Sequence, residues 1–451
     1  MKCTLKAGGS SKINGLIEEY VVASGGNVNA GDFVKFMNDH TEKTDETSLK
    51  TTDYNMNMQA LALNENRAIV YIRDTILICS IENNVITILK EFKPNLGTII
   101  SIILLESNRI FLTYASTSNY LYGTICTIND TVITLGTNVQ LSNRTISVTY
   151  GRTKVVKTDI NKIFISFGTT YDGVYGMICT INGTTITAGT DIKLIAATTY
   201  YYSVTTLGSN KIFISHAMKG TGDSTERLYA MICTIDDTII TVGTDVNLQG
   251  EVTYQCRCNE CVSYKENKVF VTYHVGGSSH LYGEICTIND TAITVESNIR
   301  LTNELDYDEY YSVLSIYDNF VLIATGKRYV ELDNKGLLCS VICELNDTTI
   351  TVVKEMTLKT SSYAYRSGTT SFRISPVLLA KNKTLINYYY QLYSGSSYYL
   401  SSTILDTYAH VTKKINNKED KILGIAKSRG TSGQTVKVVV PQYENIESEM
   451  N

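Results

Sequence analysis

The sequence predicts an all-β protein, a seven-bladed β-propeller of four-stranded blades inserted in a small β-barrel-like module. A ten-residue phrase recurs along the chain: "ICTINDTVIT" at 125–134, "ICTINGTTIT" at 178–187, "ICTIDDTIIT" at 232–241, "ICTINDTAIT" at 285–294 and "ICELNDTTIT" at 342–351. A second phrase occurs seven times: "NRAIVYI" at 66–72, "NRIFLTY" at 108–114, "NKIFISF" at 161–167, "NKIFISH" at 210–216, "NKVFVTY" at 267–273, "DNFVLIA" at 318–324 and "NKTLINY" at 382–388. The period is about 50 residues, long for a β-solenoid turn and right for a blade of four short strands.

Each period reads as a meander. A first β-rich run such as "YSVTTL" at 202–207 leads into an Asn-Lys or Asn-Arg turn and the "IFISF"-type strand. A longer connection follows, then the "ICTI" strand, an Asn-Asp or Asn-Gly turn, and the "ITxGTDxxL" segment as the fourth strand. In "TINGTTIT", Asn182 and Gly183 are expected to form the tight turn, since both tolerate positive φ. Seven such units fill residues 51–415.

The flanks do not follow the repeat. "YVVASGGNVNAGDFVKF" at 20–36 and "ILGIAKSRGTSGQTVKVVVP" at 422–441 are strand-rich, Gly-punctuated and too short to fold alone. Residues 1–50 and 416–451 are therefore expected to fold together as two halves of one small module.

Six of the 11 cysteines, Cys79, Cys126, Cys179, Cys233, Cys286 and Cys343, hold the same place in successive repeats. One cysteine per repeat gives no pair within the roughly 7 Å Cα limit of a disulfide, so these are expected to be reduced residues packed in strands. "CRCNEC" at 256–261 sets Cys256, Cys258 and Cys261 close together. Zinc with His274 or His280, a disulfide, and plain packing are all compatible with that spacing, and packing is the expectation because no paired CxxC knuckle is present.

A net charge of −4 with scattered Lys and Arg offers no footprint for a nucleic acid. The densest apolar run, "IISIILL" at 99–105, is far below the roughly 18–20 residues of a bilayer span, so neither membrane insertion nor a secretion signal is expected. Synthesis in the bacterial cytoplasm is the expectation.

The five histidines include no HExxH pair, and no Gly-rich phosphate loop is present. "LDYDEYY" at 305–311 gathers Asp306, Asp308 and Glu309 without calcium-loop spacing and reads as a solvated acidic loop. No enzyme, metal or cofactor is therefore expected, with a propeller glycosidase as an alternative because its carboxylates would be dispersed.

The "AGDFV" turn at 30–34, together with "GIA" at 424–426 and "GTSGQTVKV" at 430–438, resembles small β-modules in structural proteins of bacteriophages and phage-tail-like bacteriocins of Gram-positive hosts. The resemblance covers about 40 residues and says nothing of the propeller, which would be a long insertion in the module. It implies a virion or tail-particle component held to other particle proteins through the terminal module. A tail fibre or receptor-binding protein, and a head fibre or capsid decoration with a structural role, both fit. A homo-oligomer is compatible with either.

Connection lengths suggest where such a protein binds. The first and third turns are short, two to four residues, in nearly every repeat. The second connection and the crossing between blades are long and individual, as in "ASTSNYL" at 115–121, "HAMKGTGDSTERL" at 216–228, "ATGKRYVELDNKG" at 324–336 and "YQLYSGSSYY" at 390–399. Many of the 32 Tyr fall on that side among Ser and Gly, the composition of a recognition surface. The residues expected to bind a bacterial surface protein or glycan are Tyr329, Tyr390, Tyr393, Tyr398 and Tyr399, then Tyr171, Arg227 and Tyr310.

Overall fold

The computed structural model describes the backbone of the strands between residues 15 and 441, and the side chains of most positions between 58 and 405. Several long connections, among them 148–152, 220–225, 250–255, 303–306, 330–334, 365–372 and 392–397, lie outside the described residues. Among those described, every regular element is a strand.

Blade 2 shows how the repeat becomes a sheet. Thr98–Glu106, Arg109–Ala115, Tyr120–Asn129 and Val132–Leu135 pair antiparallel in chain order. Val139–Thr145 then extends the outermost strand, pairing again with the third. Between those two pieces lies the Gly-Thr-Asx step of the repeat, a local break in the ladder. Gly136 N–H donates to the Ile125 carbonyl at 2.8 Å, and a Cβ on Gly136 would sit 2.6 Å from that oxygen. Only glycine allows so close an approach.

The same meander spans residues 58–92, 153–195, 202–247, 256–300 and 307–364 as blades 1, 3, 4, 5 and 6. Blade 7 takes three strands from Arg373–Ala380, Lys383–Gln391 and Tyr398–Thr407. Its outer side is completed by Thr47–Thr52, with Thr52 opposite Tyr398 and Lys50 opposite Leu400. The chain is thus a seven-bladed propeller whose ring is closed by an early strand.

Second strands read as nearly continuous apolar runs because a neighbouring blade covers each face. Lys162–Gly168 is buried at every position after the first, whereas the edge segment Thr185–Ala188 buries only Ile186. Among the described residues the buried apolar side chains form seven clusters, one between each pair of consecutive blades. The last joins blade 7 to blade 1, with Leu385, Leu400 and Ile404 against Val70, Leu77 and Cys79.

The chain divides into residues 43–405 and a second unit of 1–42 with 406–451. The first limit differs from 51 because Thr47–Thr52 belongs to a blade, and the second from 415 because His410–Thr412 pairs with Lys35–Met37 of the terminal unit; the repeat phrases mark neither. In the second unit Gly15–Val21 runs antiparallel to Thr435–Pro441, and Ile425 pairs with both Phe33 and Val439.

All six repeat cysteines are buried and unbridged. Burial alone pushes the Cys126 thiol up to about 12, and it is the main reason Cys179 also rises to about 12. Cys256 and Cys261 are likewise buried and unbridged, and both face the cluster between blades 4 and 5. Strict alternation would put positions 256 and 261 on opposite faces; an irregularity between Arg257 and Asn259 resets the register. The side chain of Cys258 lies outside the described residues.

The tight turn differs by one residue from the sequence expectation. Asn182 pairs with Thr185, so Gly183 and Thr184 form the turn, and only Gly183 has positive φ, at 60°. Asp130, Asp237 and Asp290 take the equivalent left-handed place in their blades, at 52°, 53° and 57°.

Candidate functional site

The two ends of the blades differ in their side chains. At the short-turn end a basic residue after the turn Asn reaches the third turn of the next blade, again and again. Lys162 Nζ lies 2.7 Å from Asp237 Oδ1, and Lys211 Nζ 2.9 Å from Asp290 Oδ1. Arg67 bonds the Asp130 carbonyl at 2.5 Å, Arg109 donates to the Gly183 carbonyl, and Lys268 Nζ reaches the Asp347 carbonyl at 2.9 Å. Two recurring sequence features, the Asn-Lys turn and the Asn-Asp turn, are therefore halves of one inter-blade latch.

At the long-loop end each of blades 2 to 5 carries a cross-strand row. A second-strand ring stacks on a third-strand tyrosine: Tyr114 on Tyr122, Phe167 on Tyr175, His216 on Tyr229 and Tyr273 on Tyr282, with centroids 5.6–6.1 Å apart. Each such tyrosine registers with a polar outer-strand residue: Gln140, Lys193, Asn247 or Arg300. Two positions earlier stands the Asx that the Gly-Thr-Asx break presents: Asn138, Asp191 or Asp245, with Asn298 in blade 5.

What fills this niche changes from blade to blade. In blade 3, Arg144 from the end of blade 2 lies 3.9 Å over the Tyr175 ring, and its Nε donates to Asp191 at 3.2 Å. Asp172 accepts from Lys193 at 2.6 Å and from the Tyr175 hydroxyl, and those hydrogen bonds, Lys193 first, hold its carboxyl below the usual range. In blade 4, buried His216 Nε2 meets Asp245 Oδ1 at 2.8 Å. In blade 2 the Tyr122 hydroxyl donates to Gln140 at 3.2 Å.

Blade 5 places a fully buried carboxyl beneath its niche. Glu284 Oε1 accepts from Asn298 Nδ2 at 2.6 Å and from the Tyr273 hydroxyl at 3.1 Å, while Oε2 has no partner. Blades 3 and 4 have Met177 and Met231 at this step of the strand. Burial pushes the Glu284 carboxyl up to about 8, against the lowering effect of its two hydrogen bonds, so it is held largely neutral at pH 7.

The channel side is polar as well. Glu260 of blade 5 receives Lys154 Nζ of blade 3 at 2.9 Å and Ser203 Oγ of blade 4 at 2.7 Å. This ion pair spans blade 4 and braces the inner strands.

The residues expected to bind fall mostly at the ends of strands. Tyr310, Tyr329, Tyr390, Tyr398 and Tyr399 lie within strands whose backbone is described, because pairing runs further toward the long-loop end than the loop composition suggested. Tyr329 pairs with Lys335, and Tyr398 and Tyr399 pair with the closing strand. Their side chains, and all of Tyr171 and Tyr393, lie outside the described residues. Arg227 is half-buried, in register with Met218 of blade 4. Asp308 and Glu309 fall where the blade 6 register is irregular, between Tyr307 and Tyr311. Among the described residues, no group of three or more His, Cys, Asp or Glu could hold a metal ion.

The tyrosines of the niche were legible in the repeat. "LYGTICTI", "VYGMICTI", "LYAMICTI" and "LYGEICTI" each set Tyr at a fixed step before the cysteine. In blades 2, 3 and 5 the residue between is a glycine set against the second-strand phenylalanine, and a Cβ on Gly123 would lie 2.8 Å from the Phe111 ring; blade 4 has Ala230 at this step.

No family model and no curated protein matches the chain. Among solved structures, a protein of unknown function from Dyadobacter fermentans matches 87% of this chain and 99% of its own, at 12% identity and a TM-score of 0.44. An uncharacterized protein from Listeria monocytogenes matches 76% and 94%, at 11% identity and 0.40. A protein from Bacteroides fragilis named as a candidate 6-phosphogluconolactonase matches 65% and 82%, at 11% identity and 0.45. That activity is a statement about the Bacteroides protein; the fold assigned here rests on the strand registers.

Proposed function

We propose that this chain is a non-enzymatic recognition protein that binds a bacterial surface protein or glycan through the long-loop end of its propeller. In this reading the terminal unit mounts it on a bacteriophage virion or phage-tail-like particle. The observation that carries the binding half is the contrast between the blade ends: one repeats a single latch, and the other holds a differently furnished niche in each of blades 2 to 5. The mounting half rests on the resemblance of the terminal segments to phage structural modules. A binder is favoured over a hydrolase because the niche carboxylates Asp172, Asp191 and Asp245 are each tied to a cation, a hydroxyl or an imidazole.

Two measurements test the two halves. Antibody against this chain should label purified particles, and particles that carry none of it would refute the mounting. The isolated full chain should compete with particles for adsorption to their host cells. Undiminished adsorption at saturating protein would refute the recognition role and leave a decoration role in its place.

A further inference from the structure

We propose that the niches of blades 2, 4 and 5 are saccharide sites, each using its third-strand tyrosine as a stacking platform and the outer-strand Asx as a hydroxyl partner. The proposal rests on the recognition reading and names the ligand class. Tyr122, Tyr229 and Tyr282 are half-buried, and the ring beneath each is almost wholly buried, with Tyr114 5%, His216 0% and Tyr273 3% exposed. Each platform is thus fixed from below, and little side-chain freedom remains to be lost when a ligand settles on it.

Blade 3 shows what such a niche accepts. Its tyrosine is almost wholly buried, at 4% exposure, under the Arg144 guanidinium, whose Cζ lies 3.9 Å from the ring centroid while its Nε donates to Asp191. The occupant combines close contact over the aromatic ring with an N–H donor to the Asx. A pyranose offers the same combination, with C–H groups on one face and hydroxyl donors at the rim. Two of the three niches favour that neutral form over a cationic peptide: blades 2 and 5 replace the carboxylate by Asn138 and Asn298, and Arg300 borders the blade 5 niche, while in blade 4 the carboxylate of Asp245 is already engaged by His216. A cation would lose the carboxylate in both and meet a like charge in blade 5, whereas hydroxyls can accept from the guanidinium and both accept from and donate to the amides.

The test is saturation-transfer NMR and calorimetry of the full chain with glucose, galactose, rhamnose, N-acetylglucosamine and N-acetylgalactosamine. At least one sugar should bind, and Tyr122→Ala, Tyr229→Ala and Tyr282→Ala should each weaken binding at one site about tenfold or more. Tyr→Phe at the same places should retain the platform and much of the affinity, which separates lost contact from lost folding. Arg144→Ala should empty the blade 3 niche and raise the number of sugars bound, a gain that damage to the fold would not give. Binding by none of the five sugars would overturn the proposal, as would sugar binding indifferent to the three alanine variants. If competition for cell adsorption persists in either case, the recognition reading stands with a different ligand or surface. If sugar binds as described but competition fails, the site stands and the attachment reading falls.

Discussion

At the short-turn end, Lys211 of blade 4 and Asp290 of blade 5 do what Arg67 and Asp130 do between blades 1 and 2. At the long-loop end of those same strands, the His216–Asp245 pair of blade 4 gives way in blade 5 to Tyr273, Asn298 and Glu284. A contact that joins one repeat to the next must match a partner on each side, so its residues recur. A niche that need not match a latch on the next blade carries no such constraint, and the residues around its recurring tyrosine diverge although the backbone beneath them is constant.

The largest test of this contrast is Glu284→Gln. Glu284 keeps its proton better in the folded protein, with a pKa of about 8 against an ordinary 4.5. Folding therefore costs nothing extra below the ordinary value, and the penalty grows as pH rises from about 4.5 to about 8, where it reaches its full size. The glutamine variant should match the parent near pH 4 and exceed it by roughly 3–5 kcal/mol above pH 8, read from denaturant midpoints. A pH-independent difference would mean that this carboxyl is not held neutral. Next is Gly189→Ala, whose Cβ would fall 2.5 Å from the Ile178 carbonyl oxygen. The expected loss is about 1–3 kcal/mol, together with displacement of Asp191 and a change in Arg144 chemical shifts. No loss would show that the Gly-Thr-Asx break does not need glycine.

Cys179→Ser places a hydroxyl in an apolar cluster at a step of the strand that both ends share, and should cost about 1–2 kcal/mol in thermal or chemical unfolding. Binding should be unchanged. The smallest effect belongs to a single latch. Asp290 is 81% exposed, so Lys211→Ala or Asp290→Ala should cost less than about 1 kcal/mol, and a double-mutant cycle should give a coupling that fades with added salt. A coupling of several kcal/mol would make the latches a major source of ring stability.

The fold was legible because its periodicity lies in the sequence itself: the "IFISF" and "ICTI" phrases mark the two strands that every blade covers on both faces. The closing strand was not, since "TSLKTT" at 47–52 resembles no other outer strand and takes its role only from an open edge of blade 7. The niche was half legible. Tyr122, Tyr175, Tyr229 and Tyr282 recur in register with the cysteines, but loop composition points to tyrosines further out. The partners beneath them, such as His216 and Glu284, look like ordinary strand positions until cross-strand register brings them to an Asx nearly thirty residues away or nearer. Arg144 is still harder to see, because its partner ring belongs to another blade.

The pairing of Lys50 with Leu400 also sets an order of events. A ribosome delivers Thr47–Thr52 before any blade exists, and its partner emerges only after six blades have been made. Until then blade 1 has no neighbour on one side, and Val70, Leu77 and Cys79 await the cluster they will share with Leu400 and Ile404. The growing arc is therefore an open chain of sheets with a sticky end, most exposed to misassociation just before closure. The same late contact makes the finished ring a closed loop, in which release of one short strand leaves the outer edge of the last blade unpaired.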